Sequence, residues 1–196
     1  YSTRPLLARY SLETCCKMVG KQPIPWDHPN WQHSVVLRGN PGIGKTQYAL
    51  AHFERPLFVR HIDRLKAFDP KRFDGIVFDD MNFNSEKRPW PRESQLYLTD
   101  WTDPADIHCR YFNGHIPAGT RKIFTCNWKW FPFMDDEAIN DRLVIIDTDQ
   151  DLVSKRPKKP VVGELPVAKR MQAVDDTALP PAKAPRTKSL TTEPKR

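Results

Sequence analysis

"GNPGIGKTQ", residues 39–47, follows directly on the apolar run Ser34-Val35-Val36-Leu37. Gly39-Asn40-Pro41-Gly42-Ile43-Gly44-Lys45-Thr46 meets every fixed position of the pattern G-x-x-x-x-G-K-S/T. Glycines let the backbone curl until its N–H groups point at phosphates, and a helix starting near Gly44 would add its positive end. Lys45 is then placed to reach the β- and γ-phosphates of a nucleotide, and the Thr46 hydroxyl to ligate Mg²⁺. A strand that enters a glycine-rich loop and leaves it as a helix is how a P-loop α/β domain begins. The loop is common to switches, kinases, pumps and motors, so the use made of the nucleotide must be read downstream.

"GIVFDD" (75–80) is an apolar strand ending in two carboxylates. Strands of a parallel sheet deliver ligands at their carboxyl ends. Asp79 is expected to hold Mg²⁺, directly or through water, and Asp80 to orient or polarise the attacking water. "RKIFTCN" (121–127) is a β-rich strand closed by Asn127, whose amide would lie beside the γ-phosphate, although Asn at a strand end also forms turns. "DDEAINDRLVIID" (135–147) sets Arg142 ahead of another apolar strand. That arginine could reach a neighbouring subunit's γ-phosphate, or simply pair with Asp135, Asp136 or Glu137. No N-K-x-D element of the kind that reads guanine occurs, which favours ATP.

The rest of the chain sets the frame. Its 196 residues suffice for one domain with a full core and some extra length. The charge of +7 is uneven: residues 151–196 hold 11 lysines and arginines against 5 acidic residues. That segment also has seven prolines and no aromatic residue, so it reads as a disordered tail. Its basic patch "KRPKKP" (155–160) suits solubility, or else a nuclear-import signal or nucleic-acid contact, and a nuclear location is favoured over the cytoplasm. Cysteines 15, 16, 109 and 126 match no zinc spacing and read as reduced structural thiols. No run approaches the ~20 apolar residues of a membrane span, so a soluble protein is expected. Residues 1–30 are expected to form a small helical unit and connector, interrupted by Pro23, Pro25 and Pro29. Within 31–150, strands are predicted at 34–38, 57–60, 75–79, 107–112, 121–126 and 143–147, and helices at 44–54 and 92–101.

Taken together, "GNPGIGKT", "IVFDD", "KIFTCN" and the arginine of "AINDRL" resemble the superfamily 3 helicases. The similarity is greatest to the helicase domain of replication initiator (Rep) proteins of small circular single-stranded DNA viruses and related plasmids. It spans about residues 20–150. It implies an AAA+-related ATPase forming a homo-hexameric ring around single-stranded DNA, each site completed by the next subunit. It makes residues 1–30 an oligomerisation unit, Asn127 a sensor asparagine and Arg142 the finger. It also implies a hairpin that carries a basic residue into the pore. "IHCRYFNGHIPAGTRKIF" (107–124) occupies that interval, with Asn113-Gly114 expected at its turn. Arg110, Arg121 and Lys122 are then expected to grip nucleic acid, while Tyr111 and Phe112 could stack on bases.

Two departures stand out. Family members often carry two adjacent arginines at the finger, but Asp141 fills the first place here. The nicking domain of full-length initiators needs an H-x-H pair and a tyrosine followed three residues later by lysine, and neither occurs. Nicking is not expected of this chain, and the resemblance implies that such a domain precedes Tyr1 in the parent protein. Related readings are an RNA helicase of the same superfamily and a nucleotide-gated module that binds or packages nucleic acid without unwinding it.

Overall fold

The structure, a computed structural model, describes residues 5–148, so the tail at 151–196 and its basic patch lie outside the described residues. Strands β1 (Ser34–Arg38), β2 (Pro56–Val59), β3 (Gly75–Asp79), β6 (Lys122–Cys126) and β7 (Leu143–Asp147) form one sheet in the order β2-β3-β6-β1-β7. Every pairing in it is parallel. Strands β4 (Ala105–His108) and β5 (Asn113–Ile116) form a separate antiparallel hairpin. Helices α1 (Leu12–Val19), α2 (Lys45–Ala51), α3 (Arg92–Thr99) and α4 (Glu137–Asn140) and a short 3-10 helix (Ile62–Ala67) complete the chain. The mixed α/β class expected for 31–150 is found. No helix among the described residues is long and apolar enough to cross a membrane.

The sheet buries both faces, as a parallel sheet with crossover segments must. One face packs a cluster of aromatic rings, with Phe78 and Phe124 stacked at 4.5 Å between centroids and Phe83 and Phe133 against them. The other face packs Val35, Leu37, Val77 and Ile123 under α2.

The second cluster corrects the expectation for residues 1–30. Cys15, Val19 and Ile24 are buried in the same cluster as Tyr48 and Leu50, so this segment shares the domain's core rather than forming its own. Local chemistry fixes its path. Ser11 caps α1 by accepting the Thr14 N–H, and Gly20 ends it at φ 68°, a left-handed conformation suited to glycine. The connector is then tied to α2. The Tyr48 hydroxyl donates to the Gln22 carbonyl at 2.5 Å, and Ile24 N–H donates to His52 Nε2 at 2.9 Å. That bond leaves His52 Nδ1 to donate to the Tyr48 carbonyl at 2.8 Å, and burial lowers the imidazole's pKa.

Two further expectations change. The single strand predicted at 107–112 is the end of β4 plus the hairpin tip. Asn113 and Gly114 do not form the turn; they pair with His108 and Ile107 inside the hairpin. Gly114 is needed for contact instead, because a Cβ there would sit 2.6 Å from Leu65 Cβ. Lys122 is also not on the surface. It begins β6, is 1% exposed, and donates to the Asp100 carbonyl inside the protein.

Burial pushes the Lys122 pKa down to about 8, because the charged form is poorly solvated there. Its folded pKa lies below the unfolded value, so the unfolded chain binds the extra proton and stability rises with pH through this window. Urea unfolding should therefore show wild type gaining about 2 kcal/mol on Lys122→Met between about pH 7 and pH 9.5. Parallel stability curves for the two proteins would contradict that assignment.

Candidate nucleotide site and hairpin

The glycine-rich loop leaves the carboxyl end of β1, and β6 lies between β1 and β3. The sheet order therefore puts three strand ends side by side: loop 39–44, the Asp79-Asp80 pair and Asn127. Gly42 and Gly44 take φ of 76° and 101°, which side chains with a Cβ rarely adopt. Gly39 has a different reason, since a Cβ would lie 1.7 Å from the Thr148 hydroxyl.

Lys45 turns back into the loop and is 6% exposed. Its Nζ donates to the Gly39 carbonyl at 2.9 Å, the Asn40 carbonyl at 2.8 Å and Asn127 Oδ1 at 3.3 Å. The loop and the residue that follows β6 are thus joined through one ammonium. Thr46 donates from Oγ1 to Asp79 Oδ1 at 2.6 Å, and Thr125 donates to the same oxygen at 3.1 Å. The other oxygen, Oδ2, takes Arg60 Nε at 2.9 Å and the Arg60 terminal nitrogen at 2.8 Å. Asp79 is 6% exposed, so four donors compensate a nearly buried carboxylate.

Asp80 differs from its neighbour. Its φ of 52° turns it out of the strand, and its N–H donates to Thr125 Oγ1 at 3.2 Å. Its pKa is raised, first by partial desolvation and then by the Asp79 charge, while Lys45 and Arg60 oppose the shift. A carboxylate with raised proton affinity beside a pocket is suited to proton transfer. The pocket has a volume of about 260 Å³ and is lined by Gly42, Gly44, Lys45, Thr46, Asp80 and Asn127, among others. Pro41 also lines it, whereas Ile43 is buried and does not. A larger cleft of about 990 Å³ is lined by Arg38, Asn84, Lys87 and Trp130, among others. That cleft is lined by none of the glycine-loop residues and by neither Asp79 nor Asp80.

Arg60 and Thr125 did not stand out in the sequence. The parallel register pairs Val59 with Phe78, so the next residues, Arg60 and Asp79, come level. A basic residue closing the strand next to one that ends in Asp-Asp was the available signal, but it needed the strand order.

The three cations expected to grip nucleic acid are not brought together. Arg110 is at the hairpin tip, where its backbone N–H donates to Asp63 Oδ1 at 2.6 Å. Arg121 precedes β6 at the amino edge of the sheet and pairs with Asp27 at 3.1 Å. With Lys122 buried, Arg110 alone of the three stands at the tip. Another cation joins it there. Lys66 Nζ lies 5.6 Å from the Tyr111 ring centre and 5.9 Å from that of Phe112, and Arg110 lies 5.1 Å from Tyr111. Tyr111 is 80% exposed and Phe112 73%.

Arg142 stands at the amino edge, where its carbonyl accepts Ser34 N–H at 3.0 Å. The five-residue strand β1, about 16 Å long, separates that edge from the loop. Its Nε donates to Asp100 Oδ2 at 3.2 Å, so the ion pair is with Asp100 rather than Asp135, Asp136 or Glu137.

No family model and no curated protein matches the chain. A solved structure of JCV helicase is similar over 70% of this chain and 39% of that one, at 15% identity and a TM-score of 0.36. The chain spans well under half of that structure's length, and so distant a likeness carries no argument about activity.

Thr125 is the hinge of the carboxylate cluster. Thr125→Val removes a donor to Asp79 and an acceptor for Asp80 N–H while keeping the shape. It should lower unfolding free energy in urea by about 1–3 kcal/mol; an unchanged midpoint would show that water replaces the hydroxyl at no cost.

Proposed function

We propose that the chain is the ATP-hydrolysing motor domain of a superfamily 3 helicase that unwinds nucleic acid during replication of a small circular single-stranded DNA genome. The observation that carries this reading is the meeting of Lys45, Thr46, Asp79, Asp80 and Asn127 at one sheet edge. Five residues from three separate strand ends, each expected from its own motif, line or adjoin one pocket. At about 260 Å³ the pocket suits a phosphate chain better than a whole nucleotide, so the base would lie outside it.

The donors fit Mg²⁺: a hydroxyl and carboxylates, all hard oxygen ligands. Among the described residues no group of three or more His, Cys, Asp or Glu side chains could hold a metal ion. Mg²⁺ in nucleotide sites is commonly held by one or two protein groups together with the phosphates. Thr46 and Asp79 would hold Mg²⁺, which when bound would neutralise negative charge that builds up on the phosphates.

The protein's own groups divide the remaining work. Lys45 exchanges carbonyl partners for the β- and γ-phosphates, where its charge stabilises the transferred group. Asn127 lies within reach of Lys45 and orients the attacking water. Asp80 takes the water's proton, for which its raised pKa suits it. Arg142 is too far along the sheet to reach its own loop. In a homo-hexamer it would instead meet the next subunit's γ-phosphate after leaving Asp100. At the hairpin, Arg110 supplies charge to a phosphate, and Tyr111 and Phe112 supply faces on which bases stack without sequence preference. Single-stranded DNA is favoured over RNA as the strand held.

Lys45→Ala should reduce ATP hydrolysis at least about 100-fold in a protein that still melts cooperatively. Near-normal hydrolysis would remove the nucleotide site. Asp80→Asn should retain binding of a fluorescent ATP analogue and lose turnover. In the wild type, the acid limb of kcat against pH should lie above the ordinary carboxylate range, because the base must be ionised and its pKa is raised. Tyr111→Ala with Phe112→Ala should weaken single-strand binding by about 1–3 kcal/mol per base lost and stop fork unwinding. Unchanged binding to both DNA and RNA strands would leave the hairpin without this role.

A further inference from the structure

The segment from Arg60 to Lys66 touches both halves of the proposed machine. At its start, the Arg60 guanidinium forks onto Asp79 Oδ2, at 2.9 Å and 2.8 Å. Three residues on, Asp63 accepts the Arg110 N–H at 2.6 Å, and the Ile62 carbonyl accepts the Cys109 thiol at 3.3 Å. Leu65 then packs so closely on β5 that residue 114 has no room for a Cβ. Lys66 ends the segment over the two exposed rings of the tip. One short segment therefore holds the metal-binding carboxylate with its first residue and the strand-gripping tip with the rest.

The geometry points to Arg60 as a positioning residue that competes with the divalent cation for Asp79 and, through segment 60–66, couples the nucleotide site to the hairpin. This rests on the reading of the loop as a nucleotide site. Asp79 has two oxygens, and both are engaged: two hydroxyls donate to Oδ1 and the guanidinium to Oδ2. An ion that draws on this carboxylate weakens its hold on the arginine. Arg60 is 71% exposed and lies 5.0 Å from the Phe58 ring, so its head can leave Asp79 without opening the core. Asp63 has the opposite character. It is anchored to a backbone N–H of the tip and to Lys66 at 3.6 Å, so displacement of the segment carries the tip with it.

The test uses the full chain, a fluorescent ATP analogue, MgCl₂ and a labelled single-stranded oligonucleotide. In Arg60→Ala, the Mg²⁺ concentration that half-saturates nucleotide binding should fall roughly three- to tenfold, since a competing cation is gone. In the same variant, strand affinity should no longer differ between Mg²⁺-nucleotide and nucleotide-free conditions. Asp63→Ala should keep the wild-type Mg²⁺ dependence and also lose that difference, which a general loss of stability would not produce. The proposal is overturned if Arg60→Ala keeps the wild-type Mg²⁺ half-saturation, or if either variant keeps the wild-type response of strand affinity to nucleotide. A wild-type chain that binds no nucleotide in the presence of Mg²⁺ would instead remove the nucleotide site, and the coupling with it.

Discussion

The bond from the Thr46 hydroxyl to Asp79 Oδ1, 2.6 Å long, joins the residue after the glycine loop to the end of β3. These two positions are 33 residues apart. Thr46 lies in the first turn of α2, just after β1, and β1 does not touch β3 because β6 runs between them. The bond forms only if β6 brings a small polar residue to that level, and Thr125 is that residue. Its hydroxyl supports both Asp79 and the Asp80 backbone. A large apolar side chain at 125 would leave Asp79 buried with fewer donors and separate the loop from the carboxylates. The stacked phenylalanines on one face and the α2 contacts on the other hold the strands at the spacing this cluster requires.

Much of the site could be read from the chain because it is built from strand ends, and strand ends are local. A short apolar run followed by glycines, by Asp-Asp or by Asn announces itself without knowledge of its neighbours. The partners that complete the site could not be found this way. Arg60 belongs to it only through the β2–β3 register, and Thr125 only through the place of β6 between β1 and β3. Both facts are long-range, and periodicity says nothing about which strands become neighbours.

The position of the hairpin turn is hidden from the sequence for a related reason. Asn-Gly is a strong turn signal in isolation, but Gly114 is where Leu65 approaches β5, and that contact moved the turn to 109–112. Lys122 was read as a surface charge because lysine usually is one. Its strand is central, with neighbours on both sides, so a residue at its start is enclosed whatever its type. The side chain meets that constraint by reaching a backbone carbonyl. The site and the core are thus legible to different degrees: motifs at strand ends are visible early, while enclosure depends on the completed sheet.

Tyr111 has a φ of 76°, a conformation that costs a residue with a Cβ about 1–2 kcal/mol. Folding bears that cost, and the result is two aromatic faces held away from the protein. A freely rotating side chain loses about 0.5–1.5 kcal/mol when an interface immobilises it. The exposed rings keep that freedom, but the Tyr111 backbone, already set in the turn, has little of its own left to lose. On the proposed reading, a strand that meets the tip would therefore order side chains and not the loop that carries them.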